Sequence, residues 1–276
     1  MLLRGIAVLS LILTALIGTF SGASLWFIPL WFLGCYAALF LLAFGFLVLV
    51  CAFVDLDKPQ EHDSPFYRKV MDIYIEALIG LALVRIHTEG LEKTPKQGRF
   101  LLVCNHLFIA DPGVVLNCFR KSQLAFISKL ENRNMFVIGK LMHKIMCQLI
   151  DRENDRAALK TILTCIRLIK EDEVSVGVFP EGYTSKDGKL HHFRPGVFKI
   201  AQKANVPIVV CTIRNTQNIF KNLKKLRRTD VSLHLVDVIP PEEFAGKTTA
   251  EISERIYEIM LSDLGENFRF VEEQNP

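Results

Sequence analysis

Between Gly5 and Val54 the sequence contains no Asp, Glu, Lys, Arg or His. That absence excludes an ordinary soluble fold for this part of the chain. The run exceeds the roughly 20 residues that cross a bilayer once. It suits two spans, 5–20 (running on as far as Ser24) and 29–53, with a turn near Ser21-Gly22-Ala23-Ser24 or Pro29. A cleaved signal peptide is the alternative for the first segment, since Arg4 is followed by an apolar run and small residues. Both alternatives leave the rest of the chain on the cytoplasmic side. Arg4 flanks the run on one side and Lys58, Arg68 and Lys69 on the other, while the turn carries no cation. The chain also lacks any C-x-x-C pair. Its seven cysteines stand singly, which argues against a zinc ribbon or a redox motif and for buried reduced thiols. A G-x-S-x-G elbow is missing, so an α/β-hydrolase is not expected. A net charge of +4 is too small to indicate nucleic acid, though it favours an anionic lipid surface.

What is present falls into three parts: a two-span anchor over residues 1–54, a linker and interfacial helix over 55–84, and a globular domain over 85–276. The linker DLDKPQEHDSP is polar and holds two prolines. Residues 66–84 are long enough to approach a span, but Arg68, Lys69, Asp72 and Glu76 charge the first half, which suits a helix lying in the interface. Beyond it, short apolar runs at 84–89, 100–104, 124–128, 145–150, 174–179, 208–213 and 231–238 predict strands. Helix-like stretches at 112–120, 131–142, 154–170 and 196–204 separate most of them, and a last helix at 248–264 follows Pro240-Pro241. This alternation predicts an α/β fold with a mixed, largely parallel sheet flanked by helices.

Four stretches end or begin such elements with chemistry-bearing residues. LLVCNHLFIADP closes an apolar strand with Asn105-His106, and Asp111 follows five residues after the histidine. On a helix these two side chains would point about 140° apart; in a loop leaving a strand they can meet. A carboxylate on one imidazole nitrogen fixes the tautomer and makes the other a base. The bland alternative has Asp111 capping a helix that starts at Pro112. QLIDR ends a strand at Asp151-Arg152, and the bland alternative for Arg152 is an exposed ion pair with Asp155. FPEGYTS ends a third strand, and VPIVV begins a fourth. His191-His192 are adjacent on an extended loop, with no Cys or acidic partner at ligand spacing, so no metal is expected there.

In this order the stretches resemble the motif blocks of the 1-acylglycerol-3-phosphate acyltransferases, a family of membrane glycerolipid acyltransferases. NHLFIAD is similar to the N-H-x4-D block, QLIDR to the second, FPEGYTS to F-P-E-G-T-R-S, and VPIVV to V-P-I/V-x-P. The resemblance covers about residues 84–240. It implies that His106 is the general base on a lysophospholipid hydroxyl and that Asp111 orients it. The alkoxide then attacks an acyl thioester directly, so acyl-CoA or an acyl carrier protein is a co-substrate and no cofactor is required. Glu181 and Gly182 would shape the acceptor site, and Arg152 would bind the acceptor phosphate with help from Lys129. The implied partners are therefore a lysophospholipid, the thioester donor and the bilayer, with no nucleic acid. Two positions depart from the pattern: Tyr183-Thr184 stands where Thr-Arg is usual, and Cys211 where a second proline is common. Arg194, in HHFRPG, would replace the missing cation. The altered block leaves open another lysophospholipid or glycerol 3-phosphate as acceptor. A non-catalytic lipid-binding membrane protein is the alternative from another class.

Overall fold

The structure is a computed structural model that describes residues 1–22 and 24–270. Residue 23 of the expected turn and residues 271–276 of the expected globular domain lie outside the described residues. Helices α1 (Leu2–Ser21) and α2 (Ile28–Ala52) are long and apolar enough to cross a membrane. Only 17% and 11% of their apolar windows is buried against protein, which separates them from the core helices of a soluble domain. The Ser10 and Thr14 hydroxyls of α1 donate to the carbonyls of Ile6 and Ser10, so these buried polar groups carry no unmet donor.

Helix α3 (Pro65–Leu81) ties this hairpin to the rest of the chain. Tyr67 and Tyr74 donate their hydroxyls to the carbonyls of Val50 and Ala43 on α2. The chain's terminal amine pairs with Glu76. Arg68 is buried and forms a two-pronged bond to Asp63, while its Nη1 donates to the Leu124 carbonyl at 3.0 Å. The helix expected at 66–84 is α3, which stops at Leu81; Val84, the end of the expected helix, opens the first strand.

The remaining elements alternate: β1 (Val84–Glu89), β2 (Leu101–Cys104), α4 (Asp111–Cys118), β3 (Leu124–Lys129), α5 (Ile138–Lys144), β4 (Gln148–Ile150), α6 (Asp155–Lys170), β5 (Ser175–Val178), α7 (Lys199–Ala204), β6 (Ile208–Arg214), α8 (Ile219–Leu223), β7 (Thr229–Ile239) and α9 (Thr249–Leu264). They build a seven-stranded sheet of order β1-β7-β6-β2-β5-β3-β4. Every pairing is parallel except β6 with β7. Successive residues of β2 face opposite cores, as strand pleating requires. Leu102 and Cys104 join α3 and α4 on one side, while Leu101 and Val103 join α6, α7 and α9 on the other.

Three expectations are corrected here. The helix expected at 131–142 is a 3-10 turn, Leu130–Asn134, followed by α5. Asn132 Nδ2 holds the turn to β3 through Ser128 Oγ at 2.8 Å, and Val137, at φ 23°, redirects the chain. The strand expected at 145–150 is only Gln148–Ile150, because Ile145 and Met146 close α5, Met146 with φ 67°. The helix expected at 196–204 opens as a 3-10 turn, Pro195–Phe198.

Candidate active site

Strands β2, β3, β4, β5 and β6 run the same way, so their C-terminal ends share one edge of the sheet, where open α/β sheets display functional groups. His106 follows β2, Glu181 to Thr184 follow β5, Lys129 ends β3 and Arg152 follows β4. Asn105 secures the end of β2. Its Nδ2 donates to the Ile213 carbonyl at 3.0 Å, and its Oδ1 accepts the Ile213 amide at 2.8 Å. One buried side chain thereby continues the β2–β6 ladder beyond its last residue pair and fixes where the next residue, His106, leaves the sheet.

His106 Nδ1 lies 2.8 Å from Asp111 Oδ2. The same oxygen accepts the amides of Leu107 at 2.6 Å and Phe108 at 2.7 Å. A carboxylate oxygen that collects three donors has no proton of its own to give. The proton between His106 and Asp111 therefore sits on Nδ1, and in the neutral imidazole this tautomer leaves the lone pair on Nε2. Asp111 is fully buried, and its Oδ1 has no hydrogen-bond partner among the described residues. It is the first residue of α4, after Ala110 as cap, and its side chain turns back to the loop; the N-cap role considered above is not the one it has.

His106 lies in a column of rings. Its imidazole stacks on Phe179 with centroids 4.2 Å apart, and Phe179 stacks on Phe126 at 5.0 Å. The column passes over β5 at Gly177, where a Cβ would stand 2.7 Å from the Phe126 ring. On the open side, the Thr184 hydroxyl is 3.3 Å from His106 Nε2.

Glu181 is turned inward and is only 1% exposed. One carboxyl oxygen accepts the His106 amide at 2.8 Å and the other the His191 amide at 3.0 Å. It fastens the histidine's backbone and has no free oxygen facing an acceptor. Burial pushes its pKa up to about 8, against the pull of these two amides. The Ser185 amide donates to the His106 carbonyl at 2.8 Å, so the β5 loop grips both ends of the His106 peptide unit.

Arg152 and Arg194 are brought together from separate loops. Burial first, and then the charge of Arg194, hold the Arg152 guanidinium below its ordinary pKa, with Glu131 opposing. Neither arginine forms an ion pair among the described residues, so the bland pairing of Arg152 with Asp155 is not made. Gly182, at φ 83°, makes room for Arg194: a Cβ there would stand 2.8 Å from the Arg194 Nε. Lys129 is exposed and pairs in register with Ile150, two residues before Arg152. Two arginines with no ion pair among the described residues, and Lys129 at the end of the neighbouring strand, are groups suited to a planar or tetrahedral anion.

His191 does have an acidic neighbour, contrary to expectation. Its Nε2 is 2.9 Å from Asp187 Oδ1. Among the described residues no three His, Cys, Asp or Glu side chains converge as metal ligands.

Comparison with known proteins follows the same lines. The Acyltransferase family profile matches residues 85–214. A probable 1-acyl-sn-glycerol-3-phosphate acyltransferase of Mycoplasma genitalium is 30% identical over 178 residues, 63% of this chain and 63% of that protein. The 1-acyl-sn-glycerol-3-phosphate acyltransferase of Borreliella burgdorferi is 26% identical over 187 residues, covering 66% and 74%. The match thus spans just under two thirds of the Mycoplasma relative's length. The crystal structure of the 1-acyl-sn-glycerophosphate acyltransferase of Thermotoga maritima superposes with a TM-score of 0.62, at 21% identity, over 98% of this chain and 100% of that one; it shares the fold. With the motif residues gathered on one sheet edge, residues 85–214 match the Acyltransferase family, and the chain is similar over just under two thirds of its length to 1-acyl-sn-glycerol-3-phosphate acyltransferases.

Proposed function

We propose that this protein moves a fatty acyl group from a thioester donor to the sn-2 hydroxyl of 1-acyl-sn-glycerol 3-phosphate, giving phosphatidic acid. The observation that carries the reading is the His106 imidazole, held at Nδ1 by the buried Asp111 carboxylate and facing the open edge with Nε2, where only the Thr184 hydroxyl, 3.3 Å away, stands against it among the described residues. The acceptor hydroxyl takes the position now held by the Thr184 hydroxyl. Nε2 removes its proton as the oxygen attacks the thioester carbonyl. Asp111 stabilises the imidazolium that forms. The tetrahedral intermediate collapses, the C–S bond breaks, and the thiolate takes the proton back from His106. Each atom of the exchange is supplied by acceptor, donor and His106, so no cofactor is needed. Acyl-CoA and acyl carrier protein are the two donors that carry such a thioester.

Arg152 and Arg194 bind the acceptor phosphate, with Lys129 alongside. Gly182 keeps the space for Arg194, and Glu181 holds the His106 backbone. Helices α1 and α2 anchor the protein in the membrane, where both lipid substrates reside, with the catalytic domain on the cytoplasmic side.

The test is acyl transfer in vesicles with a panel of lysophospholipids and glycerol 3-phosphate, each with both donors, comparing the wild type with His106→Ala. Transfer to lysophosphatidic acid that falls by about 10²–10⁴ in the variant is expected. Transfer to another lysolipid alone would assign Tyr183-Thr184 to a changed acceptor site. Transfer to none would favour a lipid-binding protein without catalysis.

A further inference from the structure

The segment from Arg214 to Thr229 contains no acidic residue and carries Lys221, Lys224, Lys225, Arg227 and Arg228 within eight positions. All five are exposed, and none forms an ion pair among the described residues. Arg228 lies near Asp230, whose carboxylate is already bonded to His87. Two large apolar side chains stand among the cations, Phe220 at 56% exposure and Leu226 at 83%. Leu226 has a backbone φ of 50°, a conformation a leucine rarely takes. Exposed leucine and phenylalanine interleaved with unpaired cations suit the boundary between headgroups and acyl chains.

The position of the segment fits the same surface. It leaves the C-terminal end of β6, the edge that carries His106, and Phe220 meets Phe108 of the catalytic loop edge to face at 4.8 Å. At its other end, the Thr229 amide donates to the Leu83 carbonyl at 3.0 Å, just beyond α3. Helix α3 runs along α2 and α1: Tyr74 reaches Ala43, and Leu3 lies against Gly80. Its last turns carry exposed Leu78 and Leu81. The basic segment therefore lies between the foot of the apolar hairpin and the mouth of the active site.

We propose that residues 220–228 form a second membrane contact, which docks the catalytic edge onto a bilayer surface rich in anionic lipid. Lys221, Lys224, Lys225, Arg227 and Arg228 meet the headgroups, and Phe220 and Leu226 enter the interface. The contact is separate from the hairpin, which holds the chain to any bilayer regardless of charge. Docking turns the His106 edge toward the lipid from which an acceptor and an acyl chain must come.

The experiment uses the full chain with Leu226→Trp, reconstituted in phosphatidylcholine vesicles with or without about a third phosphatidylglycerol. Emission is read as the difference from the parent, whose native Trp26 and Trp31 give a constant background. In the anionic vesicles the introduced tryptophan is expected to shift to the blue, to become protected from iodide severalfold and to be quenched by brominated acyl chains. The change should vanish in pure phosphatidylcholine and in about 1 M salt, where the Debye length is ~3 Å. It should also vanish when Lys221, Lys224, Lys225, Arg227 and Arg228 are all replaced by Gln. Acyl transfer in detergent micelles, retained by that variant, shows that it is folded. Equal iodide access in both lipids would overturn the proposal. Protection in lipid-free detergent that grows with protein concentration would assign the patch to a second copy of the chain. Protection by a soluble polyanion with no response to anionic vesicles would remove the lipid from the argument.

Discussion

Two histidine–aspartate pairs sit on opposite flanks of this sheet, and their hydrogen bonds are nearly alike. His106 Nδ1 meets Asp111 at 2.8 Å, and His234 Nδ1 meets Asp263 at 2.6 Å. What surrounds each aspartate differs. Asp111 takes backbone amides and no cation, and its histidine turns Nε2 to the sheet edge, where it meets only the Thr184 hydroxyl among the described residues. Asp263 takes the Thr212 hydroxyl and the Arg214 guanidinium and knits β6, β7 and α9 together. The first arrangement leaves the imidazole as the group that must carry any new charge. The second already holds its positive charge on an arginine. A His–Asp bond is thus a common part, and its neighbours decide whether it acts as a base or as a brace.

Replacing each aspartate separates the two roles most sharply. Asp111→Asn should lower turnover by about 10²–10⁴, because the amide no longer selects the protonated Nδ1. Asp263→Asn should leave turnover near wild type and cost ~1–3 kcal/mol of stability by unpairing Arg214. Rates and melting curves for both variants check this, and equal loss of turnover would erase the distinction. Next in size, Arg152→Ala should raise KM for the phosphorylated acceptor about ten- to hundredfold with little change in kcat, since a charge-assisted hydrogen bond is worth ~1.5–3 kcal/mol. The mirror test is Arg214→Ala, for which KM should stay put. A smaller effect is expected for Thr184→Val, which removes the hydroxyl facing Nε2: less than about tenfold on kcat, as a neutral hydrogen bond warrants. A loss near that of His106→Ala would make Thr184 a participant in the chemistry.

A separate prediction, on stability rather than turnover, concerns the carboxyl beneath the catalytic loop. The folded-state pKa of Glu181, about 8, lies above the ~4.3 of an unfolded glutamate. The folded protein therefore keeps this proton between those values and unfolding releases it, so stability falls as pH rises through that window. The wild type should melt earlier at pH 8 than at pH 5, and Glu181→Gln, which cannot ionise, should flatten that slope. Parallel slopes for the two proteins would show that Glu181 is ionised throughout.

The parts of this molecule built on local pattern could be read from the sequence. Strand β1 lies at 84–89 as the sequence predicts, because β-branched Val84, Ile86 and Thr88 alternate with polar residues up to Gly90. His106 and Asp111 were expected to meet, and they do. The parts set by distant contacts were hidden. Nothing local shows that β7 returns antiparallel to β6 or that Val137 breaks a helical pattern. Glu181 read as a site-shaping acid, because a sequence does not display that both its oxygens would be claimed by amides. Asn105, Phe179 and Thr184 drew no assignment of their own. Only their places beside His106 and Pro180-Glu181 hinted at a role, since the bonds that define them cross to other strands and loops.

The ring column over β5 has a practical consequence for anyone altering this protein. At Val176 and Val178, side chains of similar volume are interchangeable at modest cost. At Gly177 even a methyl group would lift Phe126, then Phe179, then the imidazole on top of them. The height of the base above its strand is therefore set by a missing carbon two layers below it. In a library of variants, position 177 should tolerate almost nothing in an activity screen.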